Sequence, residues 1–239
     1  MKLGAIIQEK DPRNLKFHWF GGGLPDPPDE IDWATEMKSR LQMWKNDEYG
    51  DCVFAAFYNY LAVATGYTND TFPYVNEDVL ADYTAVTGFD PNDPSTDNGT
   101  NPEAALKYYM KNSRILAWGE INHHSLKECK QALDIFGGIY TAFSLPISAQ
   151  GQEVWDVTYT SDSGAGTWGG HMTMTQAMDK KGNGTTDTWG TTKKFTKAFW
   201  DKYCSGAYFF VTEKWVADNT GKTPNGFDLP TLLKDAKLL

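Results

Sequence analysis

NDEYGDCVFAAFYNYLAVA, residues 46–64, changes character at Cys52. Before it lie polar residues and Gly50; after it the chain is apolar on nearly every helical position. A stretch that is hydrophobic all round predicts a central buried helix over 52–65. Cys52 then stands in the first turn of that helix. Unsatisfied amides and the helix dipole there favour a thiolate, the form of cysteine that attacks a carbonyl carbon.

A nucleophile of this kind needs a base and a group to orient the base. The chain has four histidines. His18, His123 and His124 lie in polar or irregular surroundings. His123 and His124 with Cys129 match no zinc spacing, and no metal site is expected. His171 differs, because it follows Trp168-Gly169-Gly170 and opens the apolar strand HMTMTQAMD (171–179). The run Asp187-Thr188-Trp189-Gly190 follows, with Asp187 as the candidate orienting residue and Thr188 as the alternative one register away. Asn46 is a candidate side-chain donor to an oxyanion, beside the Cys52 N–H.

In this order, these segments resemble the papain-like cysteine peptidases. LPDPPDEIDW, with Asp32-Trp33, is similar to the start of a mature papain-type domain. NDEYGDC is similar to the family's Gln-Gly-x-Cys-Gly-x-Cys stretch, with Gly50 and Cys52 matching and Asn46 at the glutamine position. GGHMTMTQAMDKKGN (169–183) resembles the His-bearing strand, DTWG (187–190) the Asn-Ser-Trp-Gly, and GAYFFV (206–211) the closing Gly-Tyr strand. Asn46 for glutamine, Asp187 for asparagine and Val53 for the usual tryptophan are departures. The resemblance implies an α+β, two-lobe fold with a helical lobe over about 32–112 and a strand-rich, barrel-like lobe over about 113–215. It also implies Cys52 as nucleophile, His171 as base, Asp187 as orienter and Trp189 shielding their contact from water. The substrate would be a peptide or related amide, and no cofactor is required. The GDC form without a pro-region is most similar to bacterial and phage-encoded relatives. The competing expectation is therefore a virion protein that keeps the fold, binds other virion proteins and has little activity.

Composition bounds these readings. The 239 residues are 14% aromatic, with nine tryptophans, which argues for a packed globular protein. The net charge of −9, with no basic stripe, argues against nucleic-acid binding and against an anionic membrane surface. Three cysteines do not make a disulfide framework. Cys129 and Cys204 could pair, or serve as small apolar residues on helices, and this usage favours a reducing compartment or a phage particle. MKLGAIIQEKDPR does not read as a signal peptide. Residues 1–31 are expected to form an extended arm, punctuated by Gly21–Gly23 and Pro25, Pro27 and Pro28. That is too short for the helical pro-segment of papain zymogens, so latency through such a segment is not expected. GAGTWG (164–169) matches a dinucleotide-binding pattern, but a strand follows it where a helix is needed. The acidic loop 90–98 lacks the central glycine and terminal glutamate of a calcium loop.

Further helices are expected at 76–86, capped by Asn76; at 102–111, capped by Asn101 with Pro102 following; after Ser125 up to Gly137; and at 197–204. Strands are expected at 114–121, 139–147, 171–179 and 206–215, and a C-terminal tail from 216 carries a short helix near 229–238.

Overall fold

In the computed structural model, residues 1–8, 10–20, 24–217, 220–228 and 233 are described. Gly21–Gly23 and nearly all of the C-terminal helix expected at 229–238 lie outside them.

After the short strand β1 (Ile31–Asp32), the helical lobe is built from α1 (Cys52–Thr68), α2 (Asn76–Thr87) and α3 (Pro102–Lys111). Every residue of α1 from Cys52 to Thr65 is buried, as its uninterrupted apolarity requires. The helix ends where Asn69 adopts the left-handed conformation and its N–H closes on the Thr65 carbonyl. On α3 the Asn101 side chain accepts from the Glu103 and Ala104 N–H groups, the cap expected from the sequence. On α2 the expectation was off by one. Asn76 is the first helical residue, and Asp78 reaches back to accept the Val75 N–H at 2.9 Å.

The strand-rich lobe contains β2 (Ala117–Glu120), α4 (Leu126–Phe136), β3 (Ile139–Leu145), β4 (Val154–Trp155), β5 (Gly169–Met178), β6 (Gly184–Thr188), β7 (Thr191–Phe195), α5 (Lys197–Tyr203) and β8 (Cys204–Val211). These make one mixed sheet in the order β2-β8-β3-β5-β6-β7-β4, with β1 added beside β5. All pairs are antiparallel except β4 with β7. Cys204 opens β8 and does not end a helix, and the closing strand stops at Val211, before a 3-10 turn at Glu213–Trp215. The polar, threonine-rich β6 and β7 were not expected as strands.

Two apolar cores result. One surrounds α1 and includes Cys52, Phe57, Tyr83 and Tyr109; the other lies under α4, α5 and the sheet around Phe143, Trp155 and Phe209. Trp33 packs against both. Its ring meets Trp215 and Tyr67 edge-on, each at 5.1 Å, and its Nε1 donates to the Leu133 carbonyl. The face of β5 bearing Met172 and Met174 belongs to the first core, so the middle of this strand lies against the start of α1.

Candidate active site

Cys52 is the first residue of α1, and the preceding Asp51 carbonyl accepts the Phe54 and Ala55 N–H groups. The N–H of Cys52 is thus one of the helix-start donors without an intrahelical partner. The Sγ accepts the N–H of Met172 at 3.4 Å. Met172 directly follows His171, so the thiol from one lobe lies against the backbone of the histidine strand from the other.

His171 is held on two sides. Its Nε2 is 2.6 Å from Thr188 Oγ1, and its ring stacks on Trp189 with centroids 4.3 Å apart and planes 15° apart. Trp189 and Gly190 form the two-residue connection between β6 and β7, both with positive φ (49° and 71°). That is the geometry a tight hairpin demands, and glycine meets it without steric cost. The other ring nitrogen, Nδ1, is buried without a hydrogen-bond partner among the described residues, so no hydrogen bond joins it to Cys52 Sγ.

The expectation that Asp187 orients His171 is corrected by strand alternation, which sends neighbouring side chains to opposite faces. Thr186 and Thr188 lie on the His171 face, where the Thr186 hydroxyl bonds Thr173 at 2.6 Å. Asp187 is paired in register with Met174, on the face that packs toward α1. Both of its carboxylate oxygens are buried without a hydrogen-bond partner among the described residues. Burial raises this carboxyl well above the usual range, and Asp32 adds to the rise. Thr188, the alternative, makes the contact.

Asn46 also departs from its expected role. Its Nδ2 donates to the Tyr49 carbonyl and to Asp51 Oδ1, both at 3.0 Å, which uses both amide protons inside the loop before α1. Burial likewise raises the Asp51 carboxyl, which these contacts only partly offset. Gly50 is fixed by its N–H, which donates to Asp97 Oδ1 at 2.9 Å.

Neither reactive group is open to solvent; Cys52 and His171 are each 1% exposed. A thiol of lowered pKa was expected, but burial pushes Cys52 up to about 12. The Met172 N–H opposes the rise, Asp51 adds to it, and the Gly4 and Ala5 N–H groups oppose it. Burial pushes His171 down to about 3. Both shifts hold the pair as neutral thiol and neutral imidazole. The cover is the chain's own N-terminus: residues 2–6 run between the lobes, with Lys2 donating to the Asn46 carbonyl and Ala5 to that of Gly170. The sequence reading of an arm without a role in latency did not place this segment over the site.

No family model matches the chain, and no curated protein matches it. Solved structures do. Xylellain, a cysteine protease from Xylella fastidiosa, superposes with a TM-score of 0.58 at 11% identity, over 88% of this chain and 96% of that one. Digestive procathepsin L 3 of Tenebrio molitor larval midgut gives 0.56 at 9%, covering 80% and 72%. Procathepsin B S9 from Trypanosoma congolense gives 0.56 at 11%, covering 89% and 87%. The fold is papain-like.

Within that papain-like fold, the remaining sequence candidates lie away from Cys52. The His123 and His124 rings lie 4.1 Å apart, tilted by 42°, before α4 and line a small cavity with Cys129 and Trp200. No cluster of three metal-ligating side chains occurs among the described residues. Cys129 and Cys204 are buried free thiols, so their possible pairing is absent. No helix among the described residues is long and apolar enough to cross a membrane. Met172 and the N-terminal segment were missed by the sequence reading. Both contribute backbone groups, and backbone contacts leave no residue-type signature.

Proposed function

We propose that the protein is a papain-like thiol hydrolase acting on a peptide or related amide bond. The observation that carries this reading is the state of His171: one ring nitrogen is held by Thr188, the other is unpaired, and the adjacent Met172 N–H touches the Cys52 sulfur. His171 Nδ1 makes no hydrogen bond to Sγ in the resting structure, so on substrate binding it must come within reach of the thiol and take its proton as Sγ bonds to the carbonyl carbon. The oxygen becomes an oxyanion facing the Cys52 N–H at the helix start. His171 returns the proton to the leaving amine as the C–N bond breaks, leaving a thioester on Cys52. Water, deprotonated by His171, then attacks the thioester; the acid departs and the thiol is restored. Thr188 fixes the ring, and Trp189 covers the face of the imidazole. These steps draw on no cofactor.

A second reading, a virion structural or binding protein with the same fold and little activity, is favoured by one observation. The departures at positions 46 and 187 leave Asn46 and Asp187 turned away from His171, and burial holds the thiol and imidazole neutral. A peptidyl chloromethyl ketone, with the modified residue mapped, separates the two. The hydrolase reading expects modification at Cys52 in preference to Cys129 and Cys204, slowed about 100-fold or more by His171→Ala. Equal rates in both chains, or modification spread over the three cysteines, would favour the second reading.

A further inference from the structure

Residues 2–6 lie in the cleft as a peptide ligand would. The contacts come from both lobes and are made with backbone groups of the segment. On the helical side, the Lys2 N–H donates to the Asn46 carbonyl at 2.8 Å. The Thr100 N–H donates to the Gly4 carbonyl at 2.7 Å, and the Ile6 N–H to the Thr100 carbonyl at 2.9 Å. On the sheet side, the Ala5 N–H donates to the Gly170 carbonyl at 3.0 Å, and Trp189 Nε1 donates to the Lys2 carbonyl at 3.3 Å. Ala5 pairs with Thr100 as a parallel bridge and is 7% exposed. Main-chain pairing of this kind supplies affinity with little regard to sequence, so selectivity falls to whatever the walls exclude.

The walls exclude side chains at one position above all. A Cβ on Gly4 would stand 1.8 Å from the Gly50 carbonyl oxygen, and the same contact reaches the Gly50 Cα at 2.7 Å. The obstacle is backbone, so no rotamer change relieves it. Gly50 is itself anchored through its N–H to Asp97. The facing wall is equally close, because a Cβ on Gly170 would stand 2.0 Å from the Ala5 carbonyl oxygen. The channel is therefore narrowed from both lobes beside Cys52.

We propose that residues 2–6 are a cis-bound peptide filling the substrate groove over Cys52, and that this groove takes extended peptides with glycine at the position Gly4 occupies. The inference rests on the hydrolase reading for the word substrate. The segment is held without being cut, because its contacts are not those of a reacting peptide. The Gly4 carbonyl is drawn to the Thr100 amide of the helical lobe, and the groups that approach the sulfur are the Gly4 and Ala5 N–H. Departure of the segment readmits water to Cys52 and His171, which relieves the burial that holds both neutral.

The test uses the full chain and iodoacetamide. Gly4→Val is expected to lift the segment and raise Cys52 alkylation about tenfold or more, the factor given by about 1.4 kcal/mol of lost binding. Ile6→Ala, which removes a partly exposed side chain and keeps the backbone pairing, should react like the parent. Added octapeptide MKLGAIIQ should return the Gly4→Val chain toward the parent rate, and the same peptide with Gly4→Ala should not. In the unsubstituted chain, the Ala5 and Ile6 amides should resist hydrogen exchange. Parent and Gly4→Val alkylated equally fast, freely exchanging Ala5 and Ile6 amides, or equal protection by the two peptides would each overturn the proposal. None of these readouts uses turnover. Faster alkylation in Gly4→Val that His171→Ala leaves unchanged would sink the hydrolase reading and leave the occupied, glycine-selective groove standing.

Discussion

Asp82 and Asp187 are both buried carboxylates, 7% and 0% exposed, and they are treated in opposite ways. In the helical lobe, Asp82 accepts from the Tyr58 hydroxyl at 2.8 Å, the Tyr108 hydroxyl at 3.0 Å and the Arg114 guanidinium. That guanidinium also lies over the Tyr58 and Tyr74 rings at 5.4 and 5.6 Å. The cluster joins α1, α2 and α3, through Tyr58, Asp82 and Tyr108, around a compensated charge. In the strand lobe, neither oxygen of Asp187 has a hydrogen-bond partner among the described residues, and on the neighbouring strand β5 His171 Nδ1 also has none. Buried polar groups are nearly always satisfied, so a paired cluster reads as structure and unpaired groups call for another explanation. For His171 the proposed hydrolase reading supplies one, a proton to be moved. For Asp187 it is protonation, which removes the charge that burial would otherwise penalise.

The largest effect should come from breaking the satisfied side of this contrast. Asp82→Ala leaves the half-buried Arg114 without its carboxylate, and should cost about 3 kcal/mol in urea unfolding. A loss below about 1 kcal/mol would mean that the ion pair is no more than a surface contact.

A smaller and opposite outcome is expected at the site. Thr188→Val removes the Nε2 contact of His171 and should lower kcat/KM about tenfold to a hundredfold, with Thr188→Ser restoring most of it. Asp187→Asn should leave kcat/KM little changed, and the reverse pattern would restore Asp187 as the orienting residue. Asp187→Asn should also alter the dependence of stability on pH. The folded carboxyl is raised above its unfolded value of about 3.9, so the folded state binds more protons. Its contribution is therefore full below about pH 4 and is lost as pH rises toward the folded value. Asp51 is shifted the same way and remains in the variant. The decline in stability above pH 4 should be shallower in Asp187→Asn than in the parent, and an unchanged slope would show that Asp187 is charged in the folded state.

The contrast also marks what could be read from the sequence. The buried helix from Cys52, its αL stop aside, follows from composition alone, because the twelve apolar residues between Cys52 and Ala64 have only an interior to occupy. The order Cys52, His171, Trp189-Gly190 carried the two-lobe fold. The orienting residue was not legible, since Asp187 and Thr188 are adjacent and a single step of strand register exchanges their faces. Asn46 failed for a related reason: its amide reaches Asp51 within its own loop before it can reach across the cleft. The N-terminal segment was hidden because MKLGAII carries no polar pattern that names its partners. Those partners, Asn46, Thr100 and Gly170, come from three separate parts of the chain.

The central claim is that Cys52 does chemistry in a site that its own N-terminus covers. Its most direct test is cleavage of a glycine-containing peptide library by the Gly4→Val chain, with and without Cys52→Ala. The account expects cleavage in Gly4→Val that falls by about a thousandfold or more when the thiol is removed. Cleavage of equal size in both chains would contradict it, as would no cleavage by a Gly4→Val chain whose Cys52 is freely alkylated.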